Sequence, residues 1–399
     1  MSASRAVSRA ALGIALVACA TEPPTASDPI PAPLVAVSAG VLHTCGSTGS
    51  GAVFCWGWNA YGQVGDGSRR DRPFPVLVHT STPLAEPSTA AGAGHTCGVA
   101  AGGAAYCWGF NLSGQLGDGS QSTRLVPTPI AGGLTIATLD AGGAYTCAAA
   151  ADSSAHCWGW NLYGQLGDGT RTDRPAPTPV GGGLRLVSVV VGTQHSCARA
   201  ADSTLYCWGR NGSGQLGDGS TTDTTLPVAV AGGLKFAAIA VGVSHSCGLT
   251  AVGAAYCWGD NTLGQLGDTA AGAGASEPRA VAGGLVFVAL AAGGTHTCGV
   301  VAGSGAAHCW GAGASGQLGG PPTNFCVVDG LNLPCAKTPV AVDGGLSFRS
   351  LTGGQHHTCG LTTGGIAYCW GLNDHGQLGD GTTRSRVVPV RVANQLTGP

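Results

Sequence analysis

The sequence predicts an all-β protein, a seven-bladed β-propeller of four-stranded antiparallel blades. Three observations carry that expectation. The stretch Cys157-Trp158-Gly159-Trp160-Asn161-Leu162-Tyr163-Gly164-Gln165-Leu166-Gly167-Asp168-Gly169 recurs in close copies whose tryptophans are Trp56, Trp108, Trp158, Trp208, Trp258, Trp310 and Trp370. Steps of 52, 50, 50, 50, 52 and 60 residues separate them, a period typical of propellers and other repeat arrays. Each copy holds four extended runs, in the third copy residues 134–139, 145–149, 155–158 and 175–180, and no segment shows a helical period of useful length. A four-stranded blade is the natural unit of such a repeat, and stacking against a neighbour covers both of its faces.

Taken in order, the chain begins with Arg5 and Arg9 ahead of a short apolar run at 10–18, which reads as a signal peptide over residues 1–18. Leu16-Val17-Ala18-Cys19 resembles the lipobox of bacterial lipoproteins, which implies lipidation at Cys19. Residues 19–33, rich in proline, read as a lipid-anchored tether, and residues 34–399 as the propeller. The apolar run is too short to span a bilayer, and no other stretch approaches the length needed.

Beyond Cys19, sixteen cysteines remain, and they fall into couples. Cys45 goes with Cys55, Cys97 with Cys107, Cys147 with Cys157, and Cys197 with Cys207. Cys247 goes with Cys257, Cys298 with Cys309, Cys359 with Cys369, and the extra couple is Cys326 with Cys335. Each couple flanks a short turn, so its members can face one another across a hairpin, and regular pairing behind an export signal argues for disulfides. The competing reading is zinc, suggested by His43, His95, His195, His245, His296 and His357 two residues before a Cys. Cys-x-x-Cys spacing is absent, and Tyr145 stands at the same position in one copy, which favours a buried hydrogen-bonding role. In the Asn-x-x-Gly-Gln-Leu-Gly-Asp-Gly run the glycines permit positive φ, Asn and Asp cap backbone amides, and Leu anchors the loop. A calcium or phosphate role for Gly-Asp-Gly is the weaker reading, because Gly319-Gly320 and Asp268-Thr269 break the pattern.

At the C-terminus, residues 387–396 match 126–134 and then the chain stops, so the last copy reads as one strand short. The spare N-terminal run at 34–39 is expected to join the C-terminal blade and close the ring, which removes an exposed sheet edge.

The segments Trp158-Gly159-x-Asn161-x-x-Gly164-Gln165-Leu166-Gly167 and Ala-Gly-x-x-His-Thr-Cys resemble the regulator of chromosome condensation repeat family, over about residues 34–396. That resemblance implies a seven-bladed β-propeller. The eukaryotic founder is a chromatin-bound nucleotide exchange factor for a small nuclear GTPase, which implies exchange activity as one alternative. This chain has no basic tail and carries an export signal, both unlike the founder. A second branch includes secreted bacterial propellers that inhibit β-lactamases, and the implied compartment fits that branch better.

Charged residues are 10% of the chain and the net charge is −2, so no basic patch marks a nucleic-acid partner. The polar residues are repeated rather than unique, with no nucleophile beside a base, no isolated carboxylate pair and no phosphate loop; the expectation is a non-enzymatic protein without cofactor or metal. Function is expected where copies differ. After the Trp-Gly step the first three copies carry Trp58, Tyr61, Phe110, Leu112, Trp160, Leu162 and Tyr163, where later copies carry Arg210, Asp260 and Leu372. These form either an exposed aromatic sector on one rim or rings packed between neighbouring loops. The sixth copy carries an insertion, residues 321–335, in which a bond from Cys326 to Cys335 would hold Phe325 and Asp329 on a stiff loop, either as partner-binding residues or as part of a stabilised loop with no partner. The resulting expectation is a monomeric, lipid-anchored cell-envelope protein facing an oxidising compartment. It binds a protein or glycan through its rim, meets no nucleic acid, and touches the membrane only through its anchor.

Overall fold

The computed structural model describes residues 29–80 and 82–396, and they form seven antiparallel sheets arranged as a ring. Cys19 and the segment read as a signal peptide lie outside the described residues. Blade one runs outward from the axis as Leu34–Ala39, His43–Thr48, Val53–Gly57 and Arg72–Leu77. Blade three follows the same plan with Ile136–Ala141, Tyr145–Ala150, Ala155–Gly159 and Arg174–Pro179, the four runs expected there. Two single turns of 3₁₀ helix, Ala231–Gly233 and Thr269–Ala271, are the helical elements among the described residues.

Closure of the ring differs from expectation. The run Leu34–Ala39 pairs with His43–Thr48 as the inner strand of blade one, not as a strand of blade seven. Blade seven is complete in itself, with Phe348–Gly353, His357–Thr362, Ala367–Gly371 and Arg386–Arg391. Each inner strand belongs with the cysteine hairpin that follows it, so counting from Leu34 leaves no remainder. The N-terminal segment does reach the C-terminal blade, but through Ile30: its amide donates to the Asn394 carbonyl at 3.0 Å, and it bridges Gln395 in parallel. Ile30 is fully buried, so part of the stretch read as tether is packed into the ring.

The hydrophobic core is split into seven parts, one at each contact between blades. At the contact of blades three and four, Tyr145, Cys157 and Leu166 pack against Leu186, Val191 and Trp208. At the closing contact, Leu378, Cys369 and Val392 meet Ile30, Leu34 and Trp56 in the same arrangement. Burying a tryptophan and its aliphatic neighbours at every contact supplies the main cohesive term.

All eight expected cysteine couples are disulfides, and seven of them staple the second strand of a blade to the third. In blades one to four, Cys55, Cys107, Cys157 and Cys207 of the third strands bond Cys45, Cys97, Cys147 and Cys197 respectively. In blades five to seven, Cys257, Cys309 and Cys369 bond Cys247, Cys298 and Cys359. The members of each couple stand directly opposite one another, as Cys45 does Cys55 and Cys298 does Cys309. Their Cα atoms are 4.0–4.1 Å apart, at non-hydrogen-bonded positions, where adjacent strands come closest. The eleven-residue separation of Cys298 and Cys309 is taken up in the hairpin turn and leaves this register unchanged. The eighth bond joins Cys326 to Cys335 within blade six.

Around the axis, one equivalent glycine from each blade, Gly40, Gly92, Gly142, Gly192, Gly242, Gly293 and Gly354, lines the mouth of a narrow channel. A Cβ at Gly40 would run into the Gly92 carbonyl of the next blade, and one at Gly92 would meet the Gly142 carbonyl. Such close backbone approach lets amides bridge blades directly, as Val41 to the Gly92 carbonyl at 3.1 Å and Ala93 to the Gly142 carbonyl at 3.0 Å.

Candidate binding face

The repeated polar residues are consumed by contacts between blades. The Gln63 main-chain carbonyl, in the loop after the third strand of blade one, accepts from the Thr96 hydroxyl at 2.8 Å and from Trp108 Nε1 at 2.9 Å, both of blade two. Gln115, Gln165, Gln215, Gln317 and Gln377 serve the following blade in the same way. Gln265 keeps the hydroxyl contact, from Thr297 at 2.9 Å, while Trp310 Nε1 has no hydrogen-bond partner among the described residues. Two residues after each Gln, a glycine with positive φ lies flat under the next blade's indole; a Cβ at Gly167 would sit 2.7 Å from Trp208 Nε1.

The histidines close a second ring. His43 Nε2 lies 2.8 Å from Thr96 Oγ1, His95 Nε2 lies 2.9 Å from Thr146 Oγ1, and His357 Nε2 lies 3.0 Å from Thr44 Oγ1 across the closing contact. Each hydroxyl gives its one proton to a Gln carbonyl, so the imidazole donates from Nε2; its buried Nδ1 has no partner among the described residues, which leaves nothing to hold a second proton and keeps the ring neutral. Burial holds His43, His95, His195, His296 and His357 down at about 3 and His245 at about 4, with neighbouring histidines adding to the effect at His43. At the exceptional position, the Tyr145 hydroxyl reaches the His195 carbonyl at 2.6 Å and lies 3.1 Å from Ser196 Oγ. The expected hydrogen-bonding role is therefore met, and among the described residues no group of three or more metal-binding side chains gathers.

The loops after the third strands are built as expected. Asn161 Oδ1 accepts from the Leu166 amide at 2.9 Å, Leu166 is fully buried, and Asp168 accepts from the Thr170 amide at 2.9 Å. Asp168 also pairs with Arg174 at 2.8 Å, a contact repeated by Asp66–Arg72, Asp118–Arg124 and Asp380–Arg386. Partial burial pushes these carboxyl groups up, but the hydroxyl, amide and arginine donors outweigh it and leave them below the usual range. That pairing leaves the Gly-Asp-Gly step committed to its own loop.

These loops share one face of the ring, and their variable side chains gather there. Trp58 and Tyr61 meet edge to face at 5.3 Å, and Tyr61 meets Phe110 of blade two at 4.5 Å. Sequence reasoning missed His375 of blade seven, whose ring lies 6.1 Å from Trp58 and whose Nδ1 is 2.7 Å from Asp71. Its position equals that of Tyr61 and Tyr163 in their copies, which was the available signal. Trp160 and Tyr163 form a second pair at 5.6 Å, with the Arg210 guanidinium 5.2 Å over the Tyr163 ring. No ring contact joins Phe110 to Trp160 among the described residues, so the aromatics form two groups, one spanning blades seven, one and two and one spanning three and four. All five rings are half-buried, while Leu112 and Leu162 beside them are 65% and 53% exposed. Both earlier readings hold in part: the rings pack on each other, and apolar surface remains open.

Two matches to the regulator of chromosome condensation (RCC1) repeat cover most of this array. One falls at residues 50–100, 102–149, 152–199, 202–249, 253–300 and 364–397, the other at 34–63, 88–115, 186–215, 236–265 and 348–377. The chain belongs to the RCC1 repeat family. Among curated relatives, the ultraviolet-B receptor UVR8 of Arabidopsis thaliana is 38% identical over 91 residues, 23% of this chain and 21% of that one. The human probable E3 ubiquitin-protein ligase HERC4 is 35% identical over 95 residues, 24% of this chain and 9% of that protein. The matched segments thus span about a fifth or less of these relatives.

Among solved structures, yeast RCC1 (Prp20) bound to Kap60 matches with a TM-score of 0.77 and 23% identity, over 87% of this chain and 84% of that one. Human WBSCR16 gives 0.75 and 22%, over 86% and 94%. These similarities establish the shared fold. An RCC1 window such as 50–100 takes the third and outer strands of one blade and the inner and second strands of the next. The repeat in sequence is half a blade out of step with the repeat in space.

Residues 301–347 fall outside both sets of RCC1 windows, and there blade six departs from the rest. It is a five-stranded sheet in which Asn324–Val328 pairs with Leu331–Ala341 outside the third strand. Asp329 and Gly330, with φ of 49° and 79°, make the tight turn between them, so Asp329 has a local structural duty. Phe325 is 66% exposed. The eight disulfides point to an oxidising, exported compartment, and no helix among the described residues is long and apolar enough to cross a membrane.

Proposed function

We propose that this RCC1-type propeller is a non-catalytic, lipid-anchored lipoprotein of the cell envelope, attached through Cys19, that holds a protein or glycan against the face carrying the loops after the third strands. One observation carries the reading: Trp58, Tyr61, Phe110 and His375 meet across two blade contacts, on a face where the repeated residues are committed to the fold. Aromatic clusters flanked by open apolar side chains are favoured at recognition surfaces. The test places a photo-crosslinking residue at Leu112 in intact cells, with Val252 on the opposite face as control. The expected result is a discrete adduct at Leu112 only, reduced about fivefold or more by Trp58→Ala with Phe110→Ala. Equal labelling from both faces would overturn the reading. Loss of metabolic lipid labelling in Cys19→Ala tests the anchor separately.

A further inference from the structure

Every blade shields its outer edge with proline except at one strand. In the outer strand of blade one the Val78 amide bonds the Val53 carbonyl, so Val76 faces inward in the ladder and Pro75 turns its nitrogen to the open edge. Pro127, Pro177, Pro227, Pro278 and Pro389 occupy the same position in their blades. Proline at an outward position denies an incoming strand its donor. Blade six has the equivalent Pro339, but the added strand Asn324–Val328 lies beyond that sheet and carries none.

The ladder determines what this strand presents. The Gly313 amide bonds the Pro334 carbonyl, which makes Ala312 and Cys335 a non-hydrogen-bonded pair and turns the Cys335 peptide groups toward the added strand. Cys335 pairs with Asn324 and Leu333 with Cys326, so those residues use their backbone groups inward. Phe325 and Val327 therefore aim their amides and carbonyls outward, beside side chains that are 66% and 69% exposed. The Cys326–Cys335 bridge holds the strand extended before anything binds. A groove of about 370 Å³ runs along it, closed on the far side by the blade-five loop at Asn261, Asp268 and Gly272. Asp268 is paired with Arg279 at 3.3 Å, whereas Lys337, also in the groove and exposed, has no hydrogen-bond or ion-pair partner for its ammonium among the described residues.

We propose that Asn324–Val328 is a strand-addition site that takes an extended, acidic segment of a partner polypeptide. The segment pairs its backbone with Phe325 and Val327 and sets a carboxylate against Lys337. Outward amides and carbonyls at strand spacing match another extended backbone, and the unpaired ammonium selects its charge. This site is separate from the aromatic face and stands or falls without it.

The test uses the full chain and fluorescent acetylated pentapeptides alternating valine with threonine, carrying one glutamate or one lysine. Glutamate probes are expected to bind about tenfold more tightly than lysine probes, a preference that Lys337→Glu reverses. Val327→Pro removes an outward donor and leaves the ladder intact, so it is expected to melt like the parent and weaken glutamate probes about tenfold or more. A glutamate probe N-methylated on its backbone should lose binding equally, which gives the same information if the proline variant fails to fold. Absence of binding to every probe, or equal binding of the N-methylated probe, overturns the proposal. A dimer in sedimentation that Val327→Pro dissolves would also overturn it, because a second copy would then be the occupant.

Discussion

The contact between blades three and four and the contact between blades five and six solve the same problem with different success. At the first, histidine is replaced by Tyr145, yet the phenol finds the His195 carbonyl and Trp208 Nε1 still bonds Gln165 at 2.9 Å. At the second the consensus His245 is present and reaches Thr297 at 2.9 Å, yet Trp310 Nε1 is unpartnered and a groove opens beside the contact. A changed residue is tolerated where every carbonyl and donor is still met. The contact that departs most is the one where the indole loses its partner, and there the repeat carries its private hairpin.

Acid should break the difference most strongly. The six buried histidines have values of about 3 to 4 in the fold against 6.5 when exposed, so the unfolded chain binds protons more readily below neutrality. Their contribution is complete above pH 6.5 and is lost as pH falls toward 3, by about 2 kcal/mol for each histidine at pH 5. Denaturant midpoints measured from pH 7 to 4 should fall steeply, and replacing Tyr145 with His should steepen the fall. A flat profile would refute the neutral-ring assignment.

Next in size are the glycines beneath the indoles. Gly167→Ala forces a side chain at φ 70° against Trp208, which its bond holds in place, and is expected to cost about 3 kcal/mol in urea unfolding. Gly267→Ala meets the untethered Trp310 at 2.9 Å and should cost about 1 kcal/mol less. Removing the indole nitrogen compares the contacts directly: Trp208→Phe should exceed Trp310→Phe by about 1 kcal/mol in the same experiment. The smallest effect expected is Tyr145→His, within about 1 kcal/mol of the parent, whereas Tyr145→Phe removes the hydroxyl bond to the His195 carbonyl, which keeps the Gly192 amide, and costs about 1–1.5 kcal/mol. If Tyr145→His proved the worse of the two, interchangeability of the two rings at this site would be wrong.

Much of this was legible in the residues because the period keeps spacing constant. The cysteine couples, the four runs of each blade and the buried role of the histidines all follow from local pattern, since their partners lie within one copy or recur at the same offset. Cys55, Cys107, Cys207, Cys257 and Cys309 each find their partner across a single hairpin, so no long-range knowledge was needed to place them. Closure was misread because the Cys-Trp frame cuts the chain mid-blade, which made Leu34–Ala39 look spare. Which side chain sits over the glycine after Gln-Leu was invisible, because the indole comes from the following copy. The same limit hid His375: its aromatic neighbour Trp58 lies at the other end of the chain and is brought near only by ring closure. Asp329 was read as a contact residue, and its place beside Gly330 in a tight turn supplies a local reason for its presence.

The half-blade offset has a kinetic consequence. At six contacts the Gln carbonyls bind donors only 31–53 residues away, as in Thr146 with Gln115 and Trp370 with Gln317, and these can zip in turn as chain becomes available. The seventh joins Thr44 and Trp56 to Gln377, separated by 333 and 321 residues, and has to wait until both termini exist. Until that event the molecule is a short solenoid with two uncovered ends, and truncation at either terminus would trap it there.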